Sequence, residues 1–410
     1  MPTTTLTDVD LTDLDTFVQG VPHDQFDAIR REQPVYFHEE DGGSGFWCIT
    51  RYDHLYTVSH EWPTFSSEWG ITLHEDMTEE QLEQQRMMML MMDPPNHTKL
   101  RRIVNKGFTP RMIGSLKDQV AVITSQIVDD IIERGECDFV VDVAAELPLQ
   151  VIAEMMGVPQ EDRHLVFEWS NRMIGSEDPE YQVSQDDYMG AAMEMFTYAN
   201  DLAAKKRAEP GDDIISVLLQ SEVEGERLSD IEFDLFFQLL AVAGNETTRN
   251  LISHGMHALI ENPDQRRLLL DDPDTMPMAV DEMLRWASPV MYMRRTAREP
   301  FEIGGQTIDE GQKVALWYIA ANHDPDVFDD PHTFVITRHP NEHEAFGGGG
   351  QHFCLGSHLA RLEIRAMFEE IMRRVPEMEL AGPVERLRSN FINGIKHMPV
   401  TFAPGARAAA

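Results

Sequence analysis

The sequence predicts a mainly α-helical fold with small β-sheets, built as one domain over residues 1–410, and three observations lead there. Apolar residues recur at helical spacing through several long stretches. One of these, Ser229 to Asn262, is long enough to cross a whole domain, roughly 50 Å at 1.5 Å per residue. No Pro/Gly/Ser-rich linker, internal repeat or long charge block divides the chain. About residues 1–20 and 404–410 are expected to be flexible ends.

In chain order, PVYF (Pro34 to Phe37) and FWCIT (Phe46 to Thr50) flank DGGSG, which supplies the glycines of a hairpin connection. From Met112 to Ile132 the residues Met112, Ile113, Leu116, Val120, Ile123, Ile127, Ile131 and Ile132 share one helix face. Further helices are predicted over Val143 to Met156 and Asp187 to Arg207. The long central helix opens on Ser229 and Glu232, an S-x-x-E capping box, and ends before Pro263. A helix near Met278 to Trp286 precedes FEIGGQTI, a hairpin turning at Gly304 and Gly305. Gln312 to Ile319 then reads as a strand, and Leu355 to Val375 as a closing helix.

Hydrophobic residues make up 42% of the chain and charged residues 26%, a globular composition with material for a substantial core. The formal net charge of -37 disfavours nucleic acid and anionic membranes as partners. The polar, acidic start and the lack of a bilayer-length apolar stretch predict a cytoplasmic protein with no membrane anchor. Cys48, Cys137 and Cys354 lie far apart, which argues against a disulfide framework and a structural zinc site.

The strongest chemical signal is AFGGGGQHFCLGSHLAR, Ala345 to Arg361. Its glycines let backbone approach a flat ligand, and amides at the following helix N-terminus can donate toward the sulfur and favour thiolate, the form a metal takes. Taken alone, a single cysteine beside a turn is most often a small buried hydrophobe. AGNETT, Ala243 to Thr248, lies mid-helix, where Gly244 costs about 1 kcal/mol against alanine. Glu246 and Thr247 there offer an acid beside an alcohol, although an isolated threonine usually bonds back to a carbonyl. EMLR puts Glu282 and Arg285 on one helix face, where most such pairs are exposed and weak. DPPNHTKLRR carries His97 and Arg101 one turn apart, MRRTARE carries Arg295, and His352 precedes Cys354 by two. Such side chains suit carboxylates, or are ordinary surface charges. RMMMLMMDPP, Arg86 to Pro95, is flexible apolar surface or core. His254 with His257, and His339 with His343, lack a third ligand at sensible spacing.

Together these motifs, in this order and from about Pro34 to Val400, resemble a bacterial cytochrome P450, most like the soluble sterol and methyl-branched-lipid hydroxylases. The resemblance implies a triangular helical fold with haem b (iron protoporphyrin IX) between the long central helix and the cysteine-bearing loop and helix. It implies Cys354 as iron ligand and His97, Arg101, Arg295 and His352 on the haem propionates. Phe346, Gly356, Ala243 and Gly244 would line the cofactor, and Glu282 with Arg285 would lock the meander ANHDPDVFDDPHTFVITR beneath it. There Thr333 stands where many members have a basic third partner, so a two-residue lock is expected. The central helix is expected to widen near Ala243, with Thr247 hydrogen-bonding oxygen and Glu246 connecting it to solvent. Phe346 lies eight residues before Cys354 where seven is commonest: either one glycine is inserted or Gly347 takes the aromatic position.

The resemblance also places Ile71, Leu73, Met88, Leu239, Val242, Ala243, Val290, Met291 and Ile392 around a hydrophobic substrate, with TLHEDMTEEQ and the Met run nearby. The implied reaction is hydroxylation of a steroid or branched lipid, or next a terpenoid or fatty acid. O2 is the co-substrate, and electrons come from NAD(P)H through a ferredoxin reductase and a ferredoxin docking on Arg102, Lys106, Arg361 and Arg365. A peroxide-driven haem-thiolate enzyme competes, but usually lacks the acid-alcohol pair. A haem carrier or gas sensor would need neither relay nor docking surface, and an unrelated helical binding protein would bind no haem.

Overall fold

A computed structural model describes residues 4–73, 77–174, 178–181, 184–222, 225 and 227–408. Helices dominate, and the elements that build the site are α1 (Tyr52–His60), α2 (Asn96–Val104), α3 (Glu146–Met156), α4 (Asp230–Glu261), α5 (Met276–Ala287) and α6 (Ser357–Arg374). The main sheet has strands β1 (Val35–His38), β2 (Phe46–Ile49), β3 (Phe65–Ser66), β4 (Tyr292–Ala297) and β5 (Lys313–Trp317) in the order β1-β2-β5-β4-β3. β1 and β2 form the expected antiparallel hairpin, Val35 opposite Ile49 and His38 opposite Phe46. β2 runs parallel to β5, with Phe46 opposite Lys313, and β4 returns antiparallel with Arg295 opposite Val314. FEIGGQTI is a separate two-stranded hairpin whose Gly304 and Gly305 have φ of 58° and 76°, the left-handed pair a tight hairpin turn requires.

α4 is the axis of the molecule. The Ser229 hydroxyl and the Glu232 carboxylate cap it reciprocally, as expected. α3, α5 and α6 all pack on it. Two glycines set how closely. A methyl group on Gly244 would stand 2.8 Å from Ile152 Cδ1 of α3, and one on Gly255 would stand 2.8 Å from Phe368 of α6 and 2.9 Å from Met283 of α5. The helix-interior cost of Gly244 is thus explained by its crossing with α3, and Gly255 marks the point where α4, α5 and α6 meet.

Several boundaries differ from expectation. The Met112 to Ile132 stretch is two helices, Pro110–Ser115 and Lys117–Ile132, broken at Leu116. Before α3, residues Val140–Ala144 form one widened turn in which the Ala145 amide donates to the Val140 carbonyl, five residues back. Where they are described, both ends make contacts with the body of the chain. Leu11 and Phe17 are buried in the core that contains Trp317, and Asp13 caps the helix Leu14–Gln19. At the other end the Ala408 amide donates to Asp129, Arg374 donates to the Ala406 carbonyl, and Arg407 pairs with Glu133. Residues 1–3 and 409–410 of those ends, and His74 to Asp76 of TLHEDMTEEQ, lie outside the described residues. Among the described residues no helix is long and apolar enough to cross a membrane.

Candidate active site

A mostly apolar cavity of about 250 Å³ lies between the middle of α4 and the cysteine loop. From α4 it takes Phe236, Leu239, Leu240, Ala243, Gly244, Thr247, Thr248 and Leu251, one face at helical spacing. Ala243 is exposed in the middle of the molecule because it faces this space. The expected widening of α4 is absent: the helix is continuous, and Thr247 Oγ1 donates to the Ala243 carbonyl at 2.8 Å, which satisfies the hydroxyl within an unbroken turn. Glu246 sits off the cavity face and is 2% exposed, so it does not itself reach solvent. Arg249 pairs with its Oε2, while Oε1 has no hydrogen-bond partner among the described residues. Burial holds its carboxyl above the usual range, against the pull of Arg249.

Cys354 enters the cavity from below, at the foot of α6. Gly347, Gly348, Gly349 and Gly350 all have positive φ, and a methyl group on Gly350 would stand 2.2 Å from the Ser59 carbonyl oxygen at the end of α1. This coil of glycines absorbs the extra residue of the loop. Phe346 itself lines the cavity, its carbonyl accepts from the Cys354 amide at 3.0 Å, and Arg361 lies over its ring at 4.6 Å. Gly347 lines the same cavity beside Phe346. Burial pushes the Cys354 thiol up, opposed by the Gly356 amide, Arg101, Arg361 and the Ser357 amide. The Gly356 and Ser357 amides at the start of the closing helix donate toward the sulfur, as expected.

Beside the cysteine, four basic groups converge. Arg101, Arg295 and His352 line the cavity, and the His97 ring stands 4.3 Å from that of His352. Burial and the adjacent Arg101 push His97 down to about 4, and burial, Arg295 and His97 hold His352 well below its usual range. His97 Nδ1 is buried without a hydrogen-bond partner among the described residues. The nearby carboxylate of Asp93 is occupied by Ser66, the Ser67 amide and Arg298. A cluster of cations and neutral imidazoles with its nearby acid already engaged fits the carboxylates of an anionic ligand. With an apolar space and one cysteine, the donor set fits a haem.

Below the cavity the Glu282–Arg285 pair is fully buried, with two bonds of 2.8 Å between carboxylate and guanidinium. Arg285 also donates to the carbonyls of Asn322, Pro331 and Thr333, and Glu282 accepts from the Val335 amide, Asn341 and Arg338. The expected two-residue lock is thus a three-residue one. Arg338, five residues beyond Thr333, supplies the basic partner at 3.1 Å, and Thr333 contributes only its carbonyl.

Of the residues expected around a substrate, Ile71, Leu239, Val290 and Ala243 line the cavity. Leu73, Met88, Val242, Met291 and Ile392 do not. Leu73 and Met291 belong to the core around Tyr292, Ile392 bridges to Val290, Val242 lies one residue off the α4 face, and Met89 and Leu90 occupy the wall where Met88 was expected. The α4 periodicity extended outward from Ala243 would have found Phe236, Leu240, Thr248 and Leu251. Glu363 was also missed. It lines the cavity one turn beyond Leu359, buried, with no hydrogen-bond partner for Oε2 among the described residues, and burial holds its carboxyl well above the usual range. In the proposed docking patch Arg361 is paired with Asp281 and Arg365 with Glu369, while Lys106 donates to the Glu222 carbonyl.

Residues 149–376 match the profile of the family Cytochrome P450. The chain is 42% identical to a steroid C26-monooxygenase of Mycolicibacterium smegmatis, over 100% of this chain and 97% of that one. It is 41% identical to a methyl-branched lipid omega-hydroxylase of Mycobacterium tuberculosis, over 98% and 96%. A Mycobacterium marinum cytochrome P450 solved in complex with pseudoionone superposes with a TM-score of 0.89 at 38% identity, covering 98% of this chain and 99% of the other. The chain belongs to the cytochrome P450 family. It is a monooxygenase that uses haem iron and dioxygen.

Proposed function

We propose that the chain hydroxylates a steroid or a methyl-branched lipid, with electrons passed from NAD(P)H through a ferredoxin reductase and a ferredoxin. The observation that carries this reading is the cavity wall beside Cys354: Ile71, Leu90, Leu239, Val290 and Met293 offer apolar surface with few polar anchors. The names of the two relatives supply the substrate class. Haem bound between α4 and the cysteine loop supplies the oxygen-activating iron. Cys354 would hold the iron through its sulfur, and His97, Arg101, Arg295 and His352 would hold the propionates. On the other side Thr247 Oγ1 exchanges its bond to the Ala243 carbonyl for one to water in the cavity and hands a proton inward. Cavity water returns a proton to Thr247, while Glu246, buried off the cavity face and paired with Arg249, supports the helix turn that carries Thr247.

The test is a screen of haem-loaded protein for the low-spin to high-spin shift with steroids, methyl-branched fatty acids, terpenoids and straight-chain acids. Saturable shifts with sterols or branched lipids are expected, followed by hydroxylation driven by ferredoxin and NAD(P)H. A shift confined to terpenoids would overturn the substrate class. Equal turnover with hydrogen peroxide would favour the peroxide-driven alternative. Replacing Thr247 by alanine is expected to leave substrate affinity unchanged and to lower product formed per NAD(P)H by about 10-fold or more, within the range of a lost proton-transfer group. Unchanged coupling would remove Thr247 from the relay.

A further inference from the structure

Away from the cavity, three histidines from two distant parts of the chain meet. His23 opens the helix His23–Glu32, and His323 and His332 lie in the meander. One ring nitrogen from each falls within 4.8 Å of the other two, and the His23 and His323 ring centres are 4.3 Å apart. His323 is 1% exposed. Its Nδ1 faces the Ile319 carbonyl at 2.8 Å; a carbonyl only accepts, so Nδ1 carries the proton and Nε2 holds a lone pair. That Nε2 has no hydrogen-bond partner among the described residues, and neither has the buried Nδ1 of His23. Two orphaned ring nitrogens at one spot are costly unless something fills the space between them.

The surroundings suit a cation. Burial and neighbouring positive charge keep His23 neutral, down to about 3, and hold His323 well below its usual range, which leaves both in the form a metal takes. His332 Nε2 lies 2.9 Å from Asp27 Oδ2, the carboxylate-to-imidazole support common behind metal-bound histidine, and the Ile319 carbonyl serves His323 in the same way. Zinc at 2.0–2.1 Å from each nitrogen would bring them to about 3.4 Å apart, a closure the exposed His332 loop can supply.

We propose that His23, His323 and His332 form a site for one divalent cation of the zinc type, which clamps the helix His23–Glu32 onto the meander. The clamp sits next to the buried lock. Arg285 holds the carbonyls of Asn322 and Pro331, and the proposed ligands are the residues that directly follow each of them. Metal here ties the helix His23–Glu32 to the segment that Glu282 and Arg285 organise under the cofactor.

The experiment uses tag-free, haem-loaded protein stripped with a chelator, dialysed and titrated with zinc chloride in a calorimeter. One equivalent is expected to bind, and zinc is expected to raise the thermal midpoint. His332→Ala and His23→Ala should each weaken binding at least tenfold and abolish the rise, while His257→Ala, outside the cluster, changes neither. His332 is exposed, so its variant keeps the fold, and an unaltered haem spectrum verifies this. No stoichiometric uptake by the wild type, or uptake that survives both substitutions, would overturn the site and leave a water-filled gap in its place.

Discussion

Glu282→Ala is expected to destabilise the haem-loaded protein by about 3–5 kcal/mol, the cost of stranding one partner of a buried ion pair. Both side chains of the Glu282–Arg285 pair are 0% exposed, so water cannot take the place of the missing carboxylate. The loss spreads, because Glu282 also holds Arg338, Asn341 and the Val335 amide, and through them the meander that follows. Urea unfolding followed by tryptophan fluorescence and by haem absorbance should show both midpoints falling together. Glu369→Ala provides the contrast: its pairing with Arg365 is about half exposed on each side, so the cost should stay within about 0.5 kcal/mol. Equal effects of the two would mean that the lock contributes no more than a surface pair.

Cys354→Ser should abolish the spectral signature of thiolate ligation in the reduced carbon monoxide complex. It should also cut hydroxylation by more than the roughly 10–100-fold that altering a metal ligand's supporting shell costs. A serine hydroxyl ionises far less readily than a thiol and gives the iron no comparable electron push. Cys137 is the control. Burial pushes its thiol up to about 12, on a strand paired with Val400, so Cys137→Ala should leave the spectrum unchanged. A thiolate spectrum that survives Cys354→Ser would move the ligand elsewhere.

Local patterns carried most of the fold. The capping box at Ser229, the glycine pair at Gly304 and Gly305, and the strand pieces flanking DGGSG each depend on neighbours in sequence, and each forms as expected. Features that depend on distant partners were less visible. Gly255 has no local signature, since its role rests on Phe368 and Met283. Arg338 was passed over because the third position of the lock was sought at Thr333, and only the folded meander shows which base reaches Glu282. Around the cavity the helical face of α4 was legible by spacing. Leu73 and Met291, on irregular backbone beside the sheet, had no periodicity to say which way they turn. The widened turn expected near Ala243 was implied by resemblance alone, and Thr247's bond to the Ala243 carbonyl is the local chemistry that keeps the helix regular instead.

The parallel pairing of β2 with β5 bears on how this chain is made. Trp47 bonds to Gln312 across 265 residues, so a ribosome adding roughly 5–20 residues per second leaves the β1–β2 hairpin without its neighbour for about 13–50 s. Throughout that interval an apolar strand edge, FWCI, stands open to other nascent chains. Arg295, one of the four basic groups beside Cys354, enters the sheet only in the strand just before the one that closes this gap. Cofactor capture therefore comes late in synthesis, after a long exposure during which the strong negative charge of the chain, -37 overall, helps hold neighbouring copies apart.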